Sequence, residues 1–336
     1  NGKAYESDGS IYFRISAFPD YGKLSKISFA GNETGGSGRV DTDKYEKEDA
    51  RDFALWKLVG GDETPGWDAP FGRGRPGWHI ECSAMSMKYL GESFDIHGGG
   101  IDLQFPHHEN EIAQSEAATG KQFAKYWLHG EFLKIDNEKM AKSLGNEYTL
   151  RDILGKGFSP LAIRYLLLSV PYGKQLNFTF EGLKGAETTV GRLQQFRRLL
   201  AESPAESGSD DRTGSMIETA LGEFEAAMDD DLNTSVALAS VHNLVRELNS
   251  VIASDSLFED DRQKALKAVT RFDSVLGIFG QQAEIQLDEE IERLIEERQE
   301  ARRNRDFAKS DEIRDRLLAE GIILEDTKEG VRWKRK

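Results

Sequence analysis

One stretch constrains this chain more than any other. Phe94-Asp95-Ile96-His97 reads as a short strand, and it runs directly into Gly98-Gly99-Gly100. Shortly afterwards Pro106 suits the first position of a helix, where its missing N–H is no loss. That helix is expected to run through His107, His108, Glu109, Asn110, Glu111, Ile112 and Ala113. Strand, glycine turn and helix in succession are the grammar of a doubly wound α/β sheet. Three adjacent glycines also let a ligand approach the backbone, and a helix N-terminus beyond them favours an anionic or phosphate-bearing one. Taken alone the signal is weak, because most glycine triplets are only turns.

Composition bounds the rest. The chain has 336 residues, enough for about two domains or three small ones. Apolar residues make up 38% of it, with 33 glycines besides, which excludes a wholly disordered chain. No run of about 18 apolar residues is present, so no membrane partner is expected. Asn1 to Glu6 does not read as a signal peptide. Cys82 is the single cysteine, which rules out an internal disulfide framework and fits a reducing, cytoplasmic setting. The net charge of −15 argues at first sight against nucleic acid, yet a local basic stripe is enough to bind it.

Before the constraining stretch, Ile11 to Ile15 reads as a strand, Pro19 to Gly22 as a turn and Gly31 to Gly38 as a glycine-rich loop. Asp52 to Lys57 reads as a short buried element, Gly61 to Pro76 as a long loop, and Ile80 to Tyr89 as a helix. From about residue 149 the pattern turns helical: Ser159-Pro160 opens one helix and Gly182 to Leu200 forms another. Ala201 to Ser215 reads as a linker, and Met216 to Gly280 holds two or three amphipathic helices. Asp288 to Arg305 is a charged helix with Ile291, Leu294 and Ile295 on one face. A helix over Ser310 to Glu320 and two short strands, Ile322 to Leu324 and Val331 to Trp333, complete the pattern.

Three groups of residues carry chemistry. Four of the six histidines fall between residues 79 and 108, beside Cys82. His107 and Glu111, four apart, share a helix face. A thiolate, an imidazole and a carboxylate suit zinc better than magnesium. The plainer alternative stays open: Cys82 a small packed residue, His107 a helix cap, Glu111 solvated. Lys139 to Asn146 is a mobile-looking loop whose Lys139 and Lys142 can neutralise charge on a triphosphate, or simply form a solvated turn. At the C-terminal end Arg302, Arg303 and Trp333 can bind RNA by charge and stacking, or belong to a charged helix face and a basic tail.

Together these segments resemble the cysteinyl-tRNA synthetase family. Gly74 to Ser83, Phe94 to Gly100 with Asp102, and Phe105 to Glu111 all resemble its signatures. Lys139-Met140-Ala141-Lys142-Ser143 resembles the class I lysine loop, with Ala141 where the family usually has Ser. Asp230 to Thr234 resembles the start of its helical domain, and Arg305 to Asp311 with Glu325 to Thr327 its anticodon-binding end. The resemblance implies that Cys82, His107 and Glu111 are three of four zinc ligands, zinc binding the substrate thiol directly so that cysteine is told from serine without editing. It further implies that Trp78 lines the cysteine pocket, that Gly99, Gly100 and Asp102 contact the adenylate, and that Lys142, with Lys139, binds the ATP phosphates. The implied activity is ATP-dependent formation of cysteinyl-adenylate, with Mg2+ accompanying ATP, and transfer to tRNA(Cys) by a monomer. No His-x-Gly-His tetrapeptide and no second cysteine occur in the chain. The expectation is therefore a fragment without the first half of the catalytic fold, its activity alone in doubt. Two alternatives are a ligase joining cysteine to a small amino-sugar acceptor and a non-catalytic tRNA-binding protein.

The expected fold class is α/β: the second half of a class I nucleotide-binding doubly wound sheet with an insertion module, then an α-helical bundle and a small α/β anticodon-binding domain. The expected divisions are 1–75 (insertion), 76–130 (second half of the nucleotide-binding domain), 131–183 (lysine loop and stem contact), 184–280 (bundle) and 281–336 (anticodon binding).

Overall fold

A computed structural model of the chain describes residues 2–27, 51–60, 65–141, 144–280, 282–304, 306–327 and 330–335. The chain divides into two compact units, Asn1–Phe132 and Leu133–Lys336. The glycine-rich loop expected over Gly31 to Gly38 lies outside the described residues.

The first unit opens with an antiparallel sheet of β1 (Ala4–Ser7), β2 (Ser10–Phe13), β3 (Phe53–Leu58) and β4 (Gly74–Pro76), in that order. Asp8-Gly9, both at positive φ, close the β1–β2 hairpin in two residues. The strand expected over Ile11 to Ile15 stops at Phe13, and Ile15 enters a 3-10 turn whose N–H donates to Asp52 Oδ1 at 2.9 Å. The end of the expected loop Gly61 to Pro76 is instead the edge strand β4, which pairs with β3 from Trp56↔Pro76 to Leu58↔Gly74.

Next come α1 (Trp78–Leu90), β5 (Phe94–Gly100), α2 (Glu109–Thr119) and β6 (Ala124–Gly130). β5 and β6 pair in parallel, joined through α2. The glycine triplet belongs to β5 rather than to a turn after it, and pairs with β6 through Gly100↔Gly130. α2 is held on both sides. Phe13, Ile15, Phe18 and Phe53 pack on its Ile112 and Ala113. The Glu109 carboxylate accepts the backbone N–H groups of Gly22 and Ser25, each at 2.8 Å, fixing the turn after Pro19. On the other side Ser83 Oγ, on α1, accepts from Gln114 Nε2 at 2.6 Å and from Ser115 Oγ at 2.9 Å.

The second unit begins with a sheet of β7 (Leu133–Ile135), β8 (Glu138–Lys139) and β9 (Leu176–Phe178), in the order β8-β7-β9. α3 (Leu150–Gly155) starts at a capping box of Thr149 and Asp152. α4 (Pro160–Leu168) has Ser159 as N-cap and a proline in its first turn, as expected. Then follow α5 (Phe180–Glu202), α6 (Asp211–Asp229), α7 (Thr234–Ala253) and α8 (Glu259–Leu276). Leu193, Phe196, Phe224, Leu244, Val269 and Phe272 lie in one buried core shared by these four helices. The expected linker Ala201 to Ser215 is shorter than its composition suggests. α6 claims its last five residues because the Asp210 side chain accepts the Thr213 N–H at 2.9 Å. α9 (Gln282–Arg303), α10 (Phe307–Ala319) and a hairpin of β10 (Ile322–Thr327) and β11 (Gly330–Arg335) follow. Ile291, Leu294 and Ile295 are buried against Ile313, Leu317 and Ile322. No helix among the described residues is long and apolar enough to cross a membrane.

Gly77 fixes how closely α1 approaches β3. Its N–H donates to Leu55 O at 2.8 Å, and a Cβ there would lie 1.9 Å from Ala54 O. Gly77→Ala is expected to cost about 1–3 kcal/mol, as overpacking does. Gly185→Ala, in α5 with nothing within 4 Å of the added carbon, should instead gain about 0.5–1 kcal/mol. Paired thermal melts check the contrast, and equal melting temperatures for the two variants would contradict it.

Candidate metal centre

The site is built where α1 meets the start of α2. Trp78 and Cys82, four apart on α1, share a face, as do His107 and Glu111 one turn along the chain. The Ser83 hydrogen bonds to Gln114 and Ser115 hold the helices close enough for the two faces to meet. Cys82, His107 and Glu111 each offer a ligand atom, and these atoms lie within 4.8 Å of one another. His107 Nε2 and Glu111 Oε1 are 3.3 Å apart. Two ligands on a tetrahedral zinc with bonds of about 2.0–2.1 Å are separated by about that distance.

Glu111 is the electrostatic centre. Its side chain is fully buried, at 0% exposure. His97 Nε2 lies 2.9 Å from Oε2 and His107 Nε2 3.3 Å from Oε1, yet neither oxygen has a partner in hydrogen-bond geometry. Burial pushes the carboxyl pKa up, but the His107 and His97 imidazoles more than offset this and bring it down to about 2. The carboxylate is thus ionised, buried and without a hydrogen bond, which is the condition a cation would relieve. Burial, followed by the Glu111 charge, pushes the Cys82 thiol up to about 11. A soft thiol, an imidazole and an ionised carboxylate fit zinc.

Trp78, 60% exposed, tilts over His107 with ring centroids 4.2 Å apart and forms a wall beside the group. Gly99 adjoins the site, and a Cβ there would meet the His108 ring at 2.8 Å. A Cβ on Gly100 would meet Asp102 Oδ1 at 2.4 Å, and Asp102 itself is exposed. Packing therefore requires the glycine at Gly99, against the buried His108, while at Gly100 the exposed Asp102 side chain can move aside. Lys139 lies exposed on β8 in the second unit, and Asn146 Nδ2 donates to its carbonyl at 3.1 Å. Lys142 lies outside the described residues. Arg302 and Arg303 are exposed in the last turn of α9, and Trp333 is on β11.

Four imidazoles that the motifs did not single out join the site. His79 Nδ1 is 2.8 Å from His107 Nδ1, and His108 Nδ1 is 2.8 Å from His129 Nε2. His97 completes a second close group with His108 and Glu111. Burial lowers the His108 pKa to about 4, and burial also lowers that of His129, so both rings are neutral at pH 7. For His97 and His129 the two-residue period of the strands carries the signal. Ile96 and Tyr126, paired across the sheet, are 63% and 66% exposed, while their neighbours His97 and Trp127 turn to the opposite, covered face.

Three family models match the chain in order. Residues 1–188 match the class I (C) tRNA synthetase catalytic domain, 223–281 the DALR domain, and 285–333 the cysteinyl-tRNA ligase anticodon binding domain. A cysteine–tRNA ligase of Solibacter usitatus is 54% identical over 99% of this chain and 71% of that protein. Those of Koribacter versatilis and Brachyspira hyodysenteriae are 49% and 46% identical, over 99% and 100% of this chain and 73% and 72% of those proteins.

The raised Cys82 pKa gives a direct test, since this is the single cysteine. Only the thiolate reacts with iodoacetamide, so in the metal-free chain the rate should keep rising about tenfold per pH unit beyond about pH 9. An ordinary thiol, with a pKa of about 8.5, levels off there. A plateau near that pH would show that neither burial nor Glu111 acts on the sulfur.

Proposed function

The chain belongs to the cysteine–tRNA ligase family of class I aminoacyl-tRNA synthetases, and on that premise we propose that it activates L-cysteine with ATP and transfers it to tRNA(Cys). The observation that carries the reading is the meeting of Cys82, His107 and Glu111 around a buried carboxylate lacking hydrogen bonds. These three residues would hold zinc. When bound, zinc supplies a thiophilic centre for the substrate's sulfur, a preference an alcohol cannot match.

The remaining residues bind and position. A carboxylate oxygen of cysteine attacks the α-phosphorus of ATP, the α–β anhydride bond breaks, and magnesium pyrophosphate leaves. The terminal ribose hydroxyl of the tRNA then attacks the carbonyl carbon, and AMP departs. Trp78 walls the amino-acid pocket. Gly99, Gly100 and Asp102 border the adenylate. Lys142, seconded by Lys139, neutralises the charge that builds on the phosphates. Arg302, Arg303 and Trp333 are assigned to tRNA, on the part of the chain that matches an anticodon binding domain. That same match supports tRNA over a small amino-sugar acceptor, which would leave residues 285–333 without a use. We read β5, α2 and β6 as part of a doubly wound sheet, 1–75 as an insertion, 76–130 as nucleotide-binding, 131–183 as lysine loop and stem contact, 184–280 as the helical tRNA-binding bundle, and 281–336 as anticodon-binding. The cytoplasm is the compartment in which the proposed substrates meet.

Cysteine-dependent exchange of pyrophosphate into ATP tests the proposal. It is measured on the chain alone and on the chain joined to the part of the Solibacter usitatus protein outside the match. The joined protein should exchange with cysteine and not with serine, and Lys142→Ala should lower the rate by about 10²–10³. A joined protein that exchanges equally with serine, or not at all when zinc-loaded, would overturn the reading. Exchange by the chain alone would show that the His-x-Gly-His tetrapeptide is dispensable.

A further inference from the structure

Two histidines touch the candidate ligands from outside, and neither has a role in the proposed reaction. His79 Nδ1 faces His107 Nδ1 at 2.8 Å. His97 Nε2 faces Glu111 Oε2 at 2.9 Å. We propose that His79 and His97 are positioning residues which decide the atoms that His107 and Glu111 present to the metal. The inference rests on the metal reading above and goes beyond it.

Proton counting sets the first half. Two ring nitrogens at hydrogen-bond distance need one N–H and one lone pair between them. A neutral His107 that gives its Nε2 lone pair to a metal carries its proton on Nδ1. That N–H then donates to His79 Nδ1, and the His79 proton must sit on Nε2. His79 is held in place for this. Its ring meets Phe53 edge-on at 5.5 Å and stacks on Trp78 at 5.9 Å, and its backbone carbonyl accepts from Gln114 Nε2 at 2.7 Å. Phe53 lies on β3, so the antiparallel sheet at the start of the chain reaches the metal ligands through His79.

The second half concerns the carboxylate. Oε1 is the oxygen on the His107 side and Oε2 the one facing His97. The two atoms are close but not yet aligned as a hydrogen bond; a proton on His97 Nε2 that turns onto Oε2 when the metal binds leaves Oε1 as the atom offered to it. The carboxylate is then confined to one ligand bond and cannot close over a position that the substrate thiol needs. His97 belongs with this outer layer and not with the ligands. The group it forms with His108 and Glu111 has no thiol and competes for the same carboxylate as the Cys82 group.

The test uses the whole chain, titrated with Zn2+ against a chelator and with Co2+ followed by absorbance. The unaltered chain should bind one equivalent, with a sulfur-to-cobalt band that Cys82→Ser abolishes. His79→Ala and His97→Ala should each weaken zinc by about 10–100-fold, as loss of an outer partner does, and alter the cobalt spectrum. His79→Gln, whose amide oxygen accepts from His107, and His97→Gln, whose amide donates to Glu111, should recover most of the loss. Weak binding by the unaltered chain, or binding indifferent to Cys82→Ser and His107→Ala, would sink the metal reading itself. Intact dependence on those ligands with no effect of either alanine variant would overturn the present inference alone. So would a second bound equivalent that His97→Ala removes, since His97 would then be a ligand. Should the alanine variants fail to fold, nitrogen NMR of the zinc-loaded chain still decides: a His79 proton on Nε2 is required, and one on Nδ1 refutes the proposal.

Discussion

The first unit is organised around the burial of one negative charge. Taking a carboxylate out of water costs several kcal/mol even after the protein relaxes, and Glu111 is withdrawn completely. What offsets part of this cost comes from two separate elements: the turn before α2 contributes His107, and β5 contributes His97. Cys82 joins them because α1 packs on α2 at the Ser83, Gln114 and Ser115 contacts and because Gly77 lets α1 start hard against β3. Helix packing and site chemistry are thus one constraint seen from two sides.

A comparison within α2 shows which carboxylate is structural. Glu109 and Glu111 lie two residues apart, and both have no exposure. The Glu109 oxygens accept three backbone N–H groups, from Gly22, Leu24 and Ser25. Charge-assisted bonds of that kind satisfy a buried carboxylate fully, and they stitch the turn after Pro19 to the helix. The Glu111 oxygens have no such donors. A residue that is costly to bury and left unsatisfied is the one to suspect of binding something.

Much of this was legible in the sequence, and the rest was hidden for definite reasons. The amphipathic helices of the second unit show in their apolar spacing, and Ser159-Pro160 marks a helix start because each residue has one clear local job. His107 and Glu111 could be paired because four-residue spacing on a helix is local geometry. Their union with Cys82 came from chemical type and motif, since contact between α1 and α2 is a tertiary fact. The glycine triplet misled. It suggested a turn after the strand, whereas Gly98 to Gly100 continue β5, where Gly99 makes room for the protein's own His108. The edge strand β4 was masked by its Gly and Pro content, which suits an edge but reads as loop. Asp8-Gly9 is a hairpin turn signal, but the strands it joins are only four residues each, too short for their period to show.

Telling a thiol from an alcohol by metal affinity demands more of the protein than ligands of the right type. The metal must keep one position open, and the flexible member of the set is the carboxylate, which can supply one oxygen or two. Sulfur has no such choice once the helices are packed, and imidazole has only the choice of tautomer. The proposed outer shell acts where the freedom lies: His97 engages the second oxygen, and His79 determines which nitrogen of His107 carries the proton. His79 in turn rests on Phe53, which stacks on Phe13 at 5.0 Å in the sheet that opens the chain. On this account selectivity depends on a packed path from an aromatic pair on β2 and β3 to the coordination sphere. The short antiparallel sheet is therefore part of the site's geometry and more than a covering for α2.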